Sequence, residues 1–210
     1  RDFSPIALLT SAPYVLVADP GLALRGFQDF IALARARPGA LAFASSGVGA
    51  SSHLAGEMLK FLAGVDLLHV PYRGSGPGTT ALIAGNVQMS IDTLSITLPH
   101  AQEGRLRALG VSTPTRSPLV PAIPAIAETL PGFDASPFNY IAAPAGTPAA
   151  VIARLNAGFN QVLRDPAFRA RMAALGEEPM SGTPDELAAI IAEESARWRE
   201  VIRSANIRAE

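Results

Sequence analysis

A turn rich in glycine and serine, residues 45–51 and called the Gly/Ser turn below, has the residue types and spacing that point most clearly to chemistry. It follows a short apolar strand predicted over residues 41–44 and opens a helix. Backbone N–H groups, hydroxyls and the positive end of the helix dipole would then face one point, which favours a small anion such as a carboxylate or phosphate. Glycine allows close approach of a ligand because it has no Cβ. The candidate ligand-binding residues here are Ser45, Ser46, Gly47, Gly49, Ala50 and Ser51.

Two further polar residues are candidates for the same site, and each has an alternative role. His53 lies with Glu57 and Lys60 on the polar face of the predicted helix, so it either forms a solvated His–Glu pair or lies beside the ligand. Asp92 follows a predicted strand and either caps the next helix or binds an amine or hydroxyl group of a ligand. A carboxylate ligand would be repelled by Asp92. The Gly/Ser turn itself would also serve as a well-capped helix start without any ligand.

The sequence lacks the motifs of common catalytic sites. Ser52 stands where a dinucleotide-binding fingerprint needs its third glycine, and neither a GxxxxGK[ST] loop nor a G-x-S-x-G elbow occurs. A hydrolase triad of Ser46, His53 and Asp92 can be drawn, but a serine and a histidine on one helix start are awkwardly placed for it. The three histidines are not at metal-ligand spacing. We therefore expect a binding protein that is not an enzyme, with no cofactor and no metal.

Composition narrows the class of protein further. The 210 residues are 49% hydrophobic and 17% charged, which is typical of a globular chain. The formal net charge is −1 with scattered basic residues, so nucleic acid is not an expected partner. There is no cysteine, and therefore no disulfide framework. No apolar run is long enough to span a bilayer, and no signal peptide is recognised at the start of the chain.

Apolar strands and amphipathic helices alternate along the chain. The patterns predict strands over 14–18, 41–44, 67–70, 87–91, 106–111 and 138–142. Helices are predicted over 27–36, from the Gly/Ser turn to Gly64, from the Gly-rich loop 71–78 to about Ala84, and from Asp92 to near Gly104. Three more helices are predicted: one with Thr147 as N-cap and Pro148 as its first residue, one starting at Asp165-Pro166, and one starting at the capping box Thr183–Glu186. Such alternation predicts an α/β fold with mainly parallel sheets and a ligand at the carboxyl ends of the strands.

Several of these motifs together resemble one family. They are Ala44-Ser-Ser-Gly-x-Gly with His53-Leu-Ala-Gly-Glu, His69-Val-Pro-Tyr-Arg-Gly, Leu98-Pro-His, Leu106-Arg-Ala-Leu-Gly, Pro131-Gly-Phe and Ala143-Pro-Ala-Gly-Thr-Pro. In this order and spacing they resemble the Bug/TctC-type periplasmic solute-binding proteins of tripartite tricarboxylate transporters. The resemblance covers essentially the whole chain, although the family pattern begins upstream of Arg1, so the family's N-terminal portion is not represented.

The resemblance implies a two-lobed protein of the type II periplasmic-binding class that captures a dicarboxylate, acidic amino acid or aromatic acid between its lobes. Residues 13–135 would form the complete second lobe, while residues 1–12 and 136–210 would belong to an incomplete first lobe. Asp92 and Thr93 match the end of a strand that borders the ligand. The implied partners are the membrane subunits of the transporter. The alternative is a truncated scaffold that does not bind ligand and self-associates through an exposed edge of the first lobe.

The sequence departs from the family pattern at three places near the implied ligand. Ala50 stands where the family usually has serine, and Thr93 where it usually has asparagine. Phe138-Asn139-Tyr140 replaces the usual Trp-Tyr-Gly. Because these residues border the implied cleft, the departures bear on the affinity for a carboxylate.

Overall fold

A computed structural model describes residues 2–207, which divide into two compact units. The smaller unit comprises residues 2–12 and Pro137–Arg199. The larger unit comprises Pro13–Ser136, together with residues 200–207 at the end of the last helix. That end belongs to the larger unit because Val201 is only 3% exposed and Ser204 and Ala205 lie beside Lys60 and Phe61.

The secondary structure alternates largely as the sequence patterns predict. The strands are β1 Phe3–Ser11, β2 Tyr14–Ala18, β3 Ala42–Ser45, β4 Leu68–Pro71, β5 Met89–Thr93, β6 Arg107–Val111, β7 Phe138–Pro144 and β8 Glu178–Pro179. The helices are α1 Phe27–Ala36, α2 Ser51–Ala63, α3 Ser75–Ile83, α4 Leu94–Gln102, α5 Ala149–Arg164, α6 Pro166–Ala174 and α7 Pro184–Ser204. The predicted bounds of β2 and α1 are confirmed to the residue.

The larger unit is built on a five-stranded sheet of order β4-β3-β5-β2-β6. Strand β3 pairs in parallel with β4 and with β5, whereas β2 is antiparallel to both β5 and β6. The α/β class is therefore confirmed, while the mainly parallel pairing holds only around β3. All five residues of β2 are buried. An apolar run of this kind indicates that both faces of the sheet are covered, but it does not indicate whether the strand is parallel or antiparallel to its neighbours.

The smaller unit is built on an antiparallel sheet of order β7-β1-β8, so the prediction of a mainly parallel sheet is wrong here. Strand β1 was not predicted, because Pro5 interrupts the pattern and the register shifts beside it. Helix α5 lies against β1, with the side-chain amide of Asn156 donating to the Ile6 carbonyl at 2.8 Å. Asn160 bonds both the N–H and the carbonyl of Gly182.

Helix starts follow side-chain capping where the sequence offers it. The Thr183–Glu186 capping box is confirmed by Thr183 N–H donating to Glu186 at 2.7 Å and the Glu186 N–H donating to the Thr183 hydroxyl at 3.2 Å. Asp165 caps α6 as predicted. Thr147 is not the cap of α5, because its hydroxyl donates to the Pro144 carbonyl and the helix begins one residue later. Among the described residues, no helix is long and apolar enough to cross a membrane.

Candidate functional site

The Gly/Ser turn connects the carboxyl end of β3 to the start of α2 in the larger unit. Gly47 and Gly49 have φ angles of +140° and +76°, a region that residues with a Cβ rarely adopt. The two glycines therefore let the chain reverse between strand and helix within a few residues. The predicted strand–turn–helix arrangement of this segment is confirmed.

Most N–H groups of the turn are already used inside the protein. The Ser46 N–H donates to the Ser52 hydroxyl at 2.9 Å, and the Gly47 N–H donates to the Ser45 hydroxyl at 3.2 Å. The Gly49 N–H donates to Nδ1 of His53 at 3.0 Å, and the Ala50 N–H to the Gly47 carbonyl at 3.2 Å. These four groups shape the turn and are not free donors for a ligand.

Three further donors lie in the first turn of α2. The first N–H groups of an α-helix have no intrahelical acceptor, and here the N-cap residue, Ala50, has no side chain that could cap them. The first turn also has no acidic residue. The N–H groups of Ser51, Ser52 and His53, with the exposed Ser51 side chain, are thus the part of the predicted site that can receive an anion.

A second loop supports the turn from the side. The Tyr72 N–H donates to the Ser45 carbonyl at 3.0 Å, and the Gly74 N–H donates to the Ser46 carbonyl at 3.2 Å. Helix α3 begins directly after this loop, at Ser75, and its N-cap glycine also provides no side-chain cap. The starts of α2 and α3 therefore lie at the same edge of the sheet, because β3 and β4 are parallel neighbours.

Asp92 lies at the end of β5 and is 4% exposed. Its Oδ1 accepts from the Ser75 hydroxyl at 2.9 Å and from the Thr93 N–H at 2.8 Å, while Oδ2 has no hydrogen-bond partner among the described residues. Burial raises the pKa of this carboxyl, and the two hydrogen bonds oppose that rise. The prediction that Asp92 caps α4 is wrong, because Thr93 is the N-cap residue and Asp92 belongs to the strand.

Thr93 and Tyr14 face each other across β5 and β2. The Thr93 hydroxyl is buried and has no hydrogen-bond partner within residues 2–207. Tyr14 is 8% exposed; burial and the charge of Asp92 raise the pKa of its hydroxyl, and a hydrogen bond with the Ser51 side chain lowers it. Sequence reasoning missed Tyr14, although an aromatic residue with a polar tip at a strand end is a usable signal.

His53 is buried, at 6% exposure, so the alternative of a solvated His–Glu pair is wrong. Its ring stacks on His69, and Nε2 of His69 lies 2.6 Å from the Ser45 hydroxyl. Glu57, also buried, bonds Lys60 at 2.9 Å and lies 3.9 Å from Nε2 of His53. Burial is the main cause that lowers the pKa of both imidazoles, for His69 to about 4, so both rings are neutral at pH 7.

The structure does not assemble the conceivable hydrolase triad. The Ser46 hydroxyl bonds the Ser52 hydroxyl, His53 bonds the Gly49 N–H, and Asp92 bonds Ser75, so no hydrogen bond links the three residues. Within residues 2–207, no group of His, Cys, Asp and Glu side chains could hold a metal ion. The arrangement can bind an anion and present a buried carboxylate nearby.

Comparison with known proteins gives one consistent family. The family model described as the tripartite tricarboxylate transporter family receptor, TctC, matches residues 1–207. The UPF0065 protein in the tcbD-tcbE intergenic region of Pseudomonas sp. strain P51 is 41% identical over 204 residues, which are 96% of this chain and 61% of that protein. The chain thus spans about six tenths of the length of the curated relatives it matches.

Two solved structures extend the similarity to the fold, and each of these two proteins was solved with an acid bound. R. palustris Rpa4515 with adipate has a TM-score of 0.85 and 32% identity, and the match covers 98% of this chain and 69% of that one. MatC (Rpa3494) from Rhodopseudomonas palustris with bound malate has a TM-score of 0.80 and 32% identity, covering 95% and 69%. The matched family is one of solute-binding receptors and is not an enzyme family.

Proposed function

Because this chain belongs to the tripartite tricarboxylate transporter receptor family, we propose that it binds a small carboxylic acid and delivers it to the membrane subunits of such a transporter. The proposed location is the periplasm, where receptors of this kind capture their ligands. The observation that carries the proposal is the first turn of α2, which has neither a capping side chain nor an acidic residue. Adipate in one relative and malate in another support a carboxylate as the anion.

The carboxylate is held by the N–H groups of the first turn of α2. The ligand oxygens accept from these N–H groups and from the Ser51 hydroxyl, while the partial positive charge at the helix start favours the anion. Ser45, Ser46, Gly47, Gly49 and Ala50 act indirectly, because their bonds within the Gly/Ser turn fix where α2 begins.

Asp92 and Thr93 act on the rest of the ligand in this proposal. Oδ2 of Asp92, which has no partner among the described residues, can accept a hydrogen bond from the ligand. The Thr93 hydroxyl can donate one. A ligand that has only a carboxylate offers no donor to Asp92. A hydroxyl or ammonium group beside the ligand's carboxylate complements them, because Asp92 repels a second carboxylate but attracts a donor. The proposed ligands are therefore hydroxy or amino acids ahead of unsubstituted acids.

Self-association is the second part of the proposal and concerns the smaller unit. One face of α5 displays an apolar stripe at helical spacing, formed by Val151, Leu155, Gly158, Phe159 and Val162. Val151, Leu155 and Val162 are each at least 40% exposed. A stripe of this kind is normally covered. We infer that a second copy of this chain covers it in solution.

Thermal unfolding against a panel of acids tests the binding function. The panel contains malate, aspartate, succinate and adipate, with the diamide of succinate as the matched uncharged control. A ligand at about 100 times its dissociation constant adds about 2.7 kcal/mol, which raises the melting temperature by several degrees. A shift with at least one acid and none with the diamide is expected. Cooperative melting without a shift for any acid would contradict the proposal.

A further inference from the structure

The two halves of the Gly/Ser turn are held by two different imidazoles. Nδ1 of His53 accepts the Gly49 N–H at 3.0 Å, which fixes the second half. Nε2 of His69 bonds the Ser45 hydroxyl at 2.6 Å, and that hydroxyl accepts the Gly47 N–H, which fixes the first half. Hydrogen bonds therefore connect each imidazole to the Gly/Ser turn without a break.

The two imidazoles also contact each other. Their ring centroids are 3.8 Å apart and their planes differ by 7°, while the Phe43 ring stacks on His69 at 4.8 Å. Two positive charges at this separation would repel strongly in a partly buried site. The stack is therefore compatible with two neutral rings, or with one charged ring at most.

The bond to Gly49 also fixes the protonation state of His53. An N–H donor needs a lone pair on Nδ1, so the proton of the neutral ring lies on Nε2, which faces Glu57 at 3.9 Å. A protonated His53 would place an N–H against the Gly49 N–H and lose the bond. The charged groups that face the two rings are Glu57 and Lys60 from α2, and each ring faces the other.

We propose that His53 and His69 are paired positioning residues of the Gly/Ser turn, and that they keep the first turn of α2 open to an anion only while His53 is uncharged. The inference rests on the proposed carboxylate binding. It adds that the two imidazoles hold the site in place and that acidification disrupts it. Neither ring touches the ligand in this account. Acidification releases Gly49, the turn rearranges, and the N–H groups at the start of α2 no longer converge.

A purely electrostatic role for His53 predicts the opposite pH dependence. An added positive charge beside the first turn of α2 would attract an anion and raise its affinity on acidification. The positioning role predicts a loss of affinity over the same pH range. The direction of the change therefore separates the two roles.

The first readout needs no ligand and follows the Gly49 amide in the free protein by NMR. We expect this amide to be protected from hydrogen exchange at pH 7.5 and to lose protection at the acidic pH at which the His53 ring, followed in the same spectra, has gained a proton. In His53→Asn, where the side-chain oxygen can replace Nδ1, protection should persist at both pH values. In His53→Leu it should be lost at both. Protection of Gly49 in His53→Leu that equals the wild type would overturn the inference, whether or not any acid binds.

The second readout is the dissociation constant for malate and for adipate at pH 7.5 and 4.5. We expect His53→Leu to weaken binding at least tenfold at pH 7.5, and His53→Asn to stay within about threefold of wild type, with urea melts confirming that each variant folds. On acidification the wild type should lose at least threefold more affinity than His53→Asn, a comparison that cancels protonation of the acid itself. His100→Asn on α4 is the control that should match wild type.

The outcomes of the second readout test the inference separately from the proposed carboxylate binding. Binding of neither acid to the wild type at pH 7.5 would count against the proposed function, and the Gly49 amide would still decide the inference. Binding that is unchanged in His53→Leu, or that strengthens on acidification in the wild type relative to His53→Asn, would overturn the inference and leave the function standing.

Discussion

The imidazole rings of His53 and His69 lie parallel, 3.8 Å apart, although one belongs to α2 and the other to β4. Phe43 and His69 are register partners in the parallel pair of β3 and β4. The Phe43 ring stacks on both imidazoles, so this strand pairing places His69 beside His53. The stack thus holds β4, the Gly/Ser turn and α2 together. Its stability depends on the two rings not being charged at the same time.

The first prediction concerns stability against pH. Folding lowers the pKa of His69 from 6.5 to about 4, mainly through burial. Between these values the unfolded chain binds more protons, so this contribution to stability is complete above pH 6.5 and is lost as the pH falls toward 4. We expect about 1–2 kcal/mol of loss from this residue, since the ring is partly exposed.

Urea unfolding of the wild type and His69→Phe at pH 7.0 and 4.5 measures this contribution. Phenylalanine keeps the stack on Phe43 and removes the titration, so the variant should lose less stability on acidification than the wild type. His100→Phe serves as the control and should retain the wild-type pH dependence. An equal loss in wild type and His69→Phe would show that His69 is not the source.

The second prediction concerns the contact between α2 and β3. A Cβ on Gly56 would overlap the ring of Phe43, whose Cδ2 would lie only 2.7 Å away, and this ring is fully buried. Gly56→Ala should therefore destabilise the protein by about 1–3 kcal/mol. Gly76→Ala is the matched control: Gly76 is also helical, a Cβ there meets nothing within 4 Å, and the substitution should not destabilise the protein. Chemical denaturation that shows equal effects for both variants would contradict the predicted packing.

The third prediction concerns ligand choice at Asp92. If Oδ2 accepts a hydrogen bond from the ligand, the wild type should bind malate at least tenfold more tightly than succinate, which differs only by the hydroxyl. Asp92→Asn keeps the shape and an acceptor but removes the charge, so it should reduce the preference for aspartate over succinate most strongly. The same ratios in both proteins, measured by calorimetry, would exclude Asp92 from ligand selection.

The fourth prediction concerns the apolar stripe of α5. Sedimentation velocity of the wild type should show a dimer at micromolar concentration, because exposed apolar residues at helical spacing favour association. Val151→Glu with Leu155→Lys should shift the protein to monomer without loss of cooperative unfolding. Gln161→Lys, an exposed change on the same helix, should leave the dimer intact. A wild type that stays monomeric at high concentration would contradict the inferred self-association.

Local patterns were sufficient to predict most of the helices and strands and the position of the Gly/Ser turn. The apolar run of β2, the spacing of Phe27, Phe30, Ile31 and Ala34 in α1, and the capping box at Thr183 each depend on neighbours in sequence, and each is confirmed. The strand β1 escaped prediction because its stability comes from pairing with β7, which is far away in the chain.

The internal bonds of the site could not be read from the sequence in the same way. The turn was expected to offer all its N–H groups to an anion, yet Gly49 donates to His53 and Ser46 to Ser52. These bonds form only when the first turn of α2 packs against the Gly/Ser turn, and the sequence does not give that arrangement. A substitution such as Gly47→Val, which is natural to suggest from the sequence, would strain the backbone at φ +140° as well as fill space, so it cannot separate binding from folding.

Calorimetric titration of malate into wild type, Ser51→Ala and Ser51→Pro tests the central claim most directly. Proline is accepted at the first position of a helix but removes the N–H, whereas alanine removes only the hydroxyl. We predict binding in the wild type, a loss of a few-fold in Ser51→Ala, and a loss of at least tenfold in Ser51→Pro, with all three proteins folded. Malate binding that is equally tight in Ser51→Pro and wild type would contradict an anion site at the start of α2.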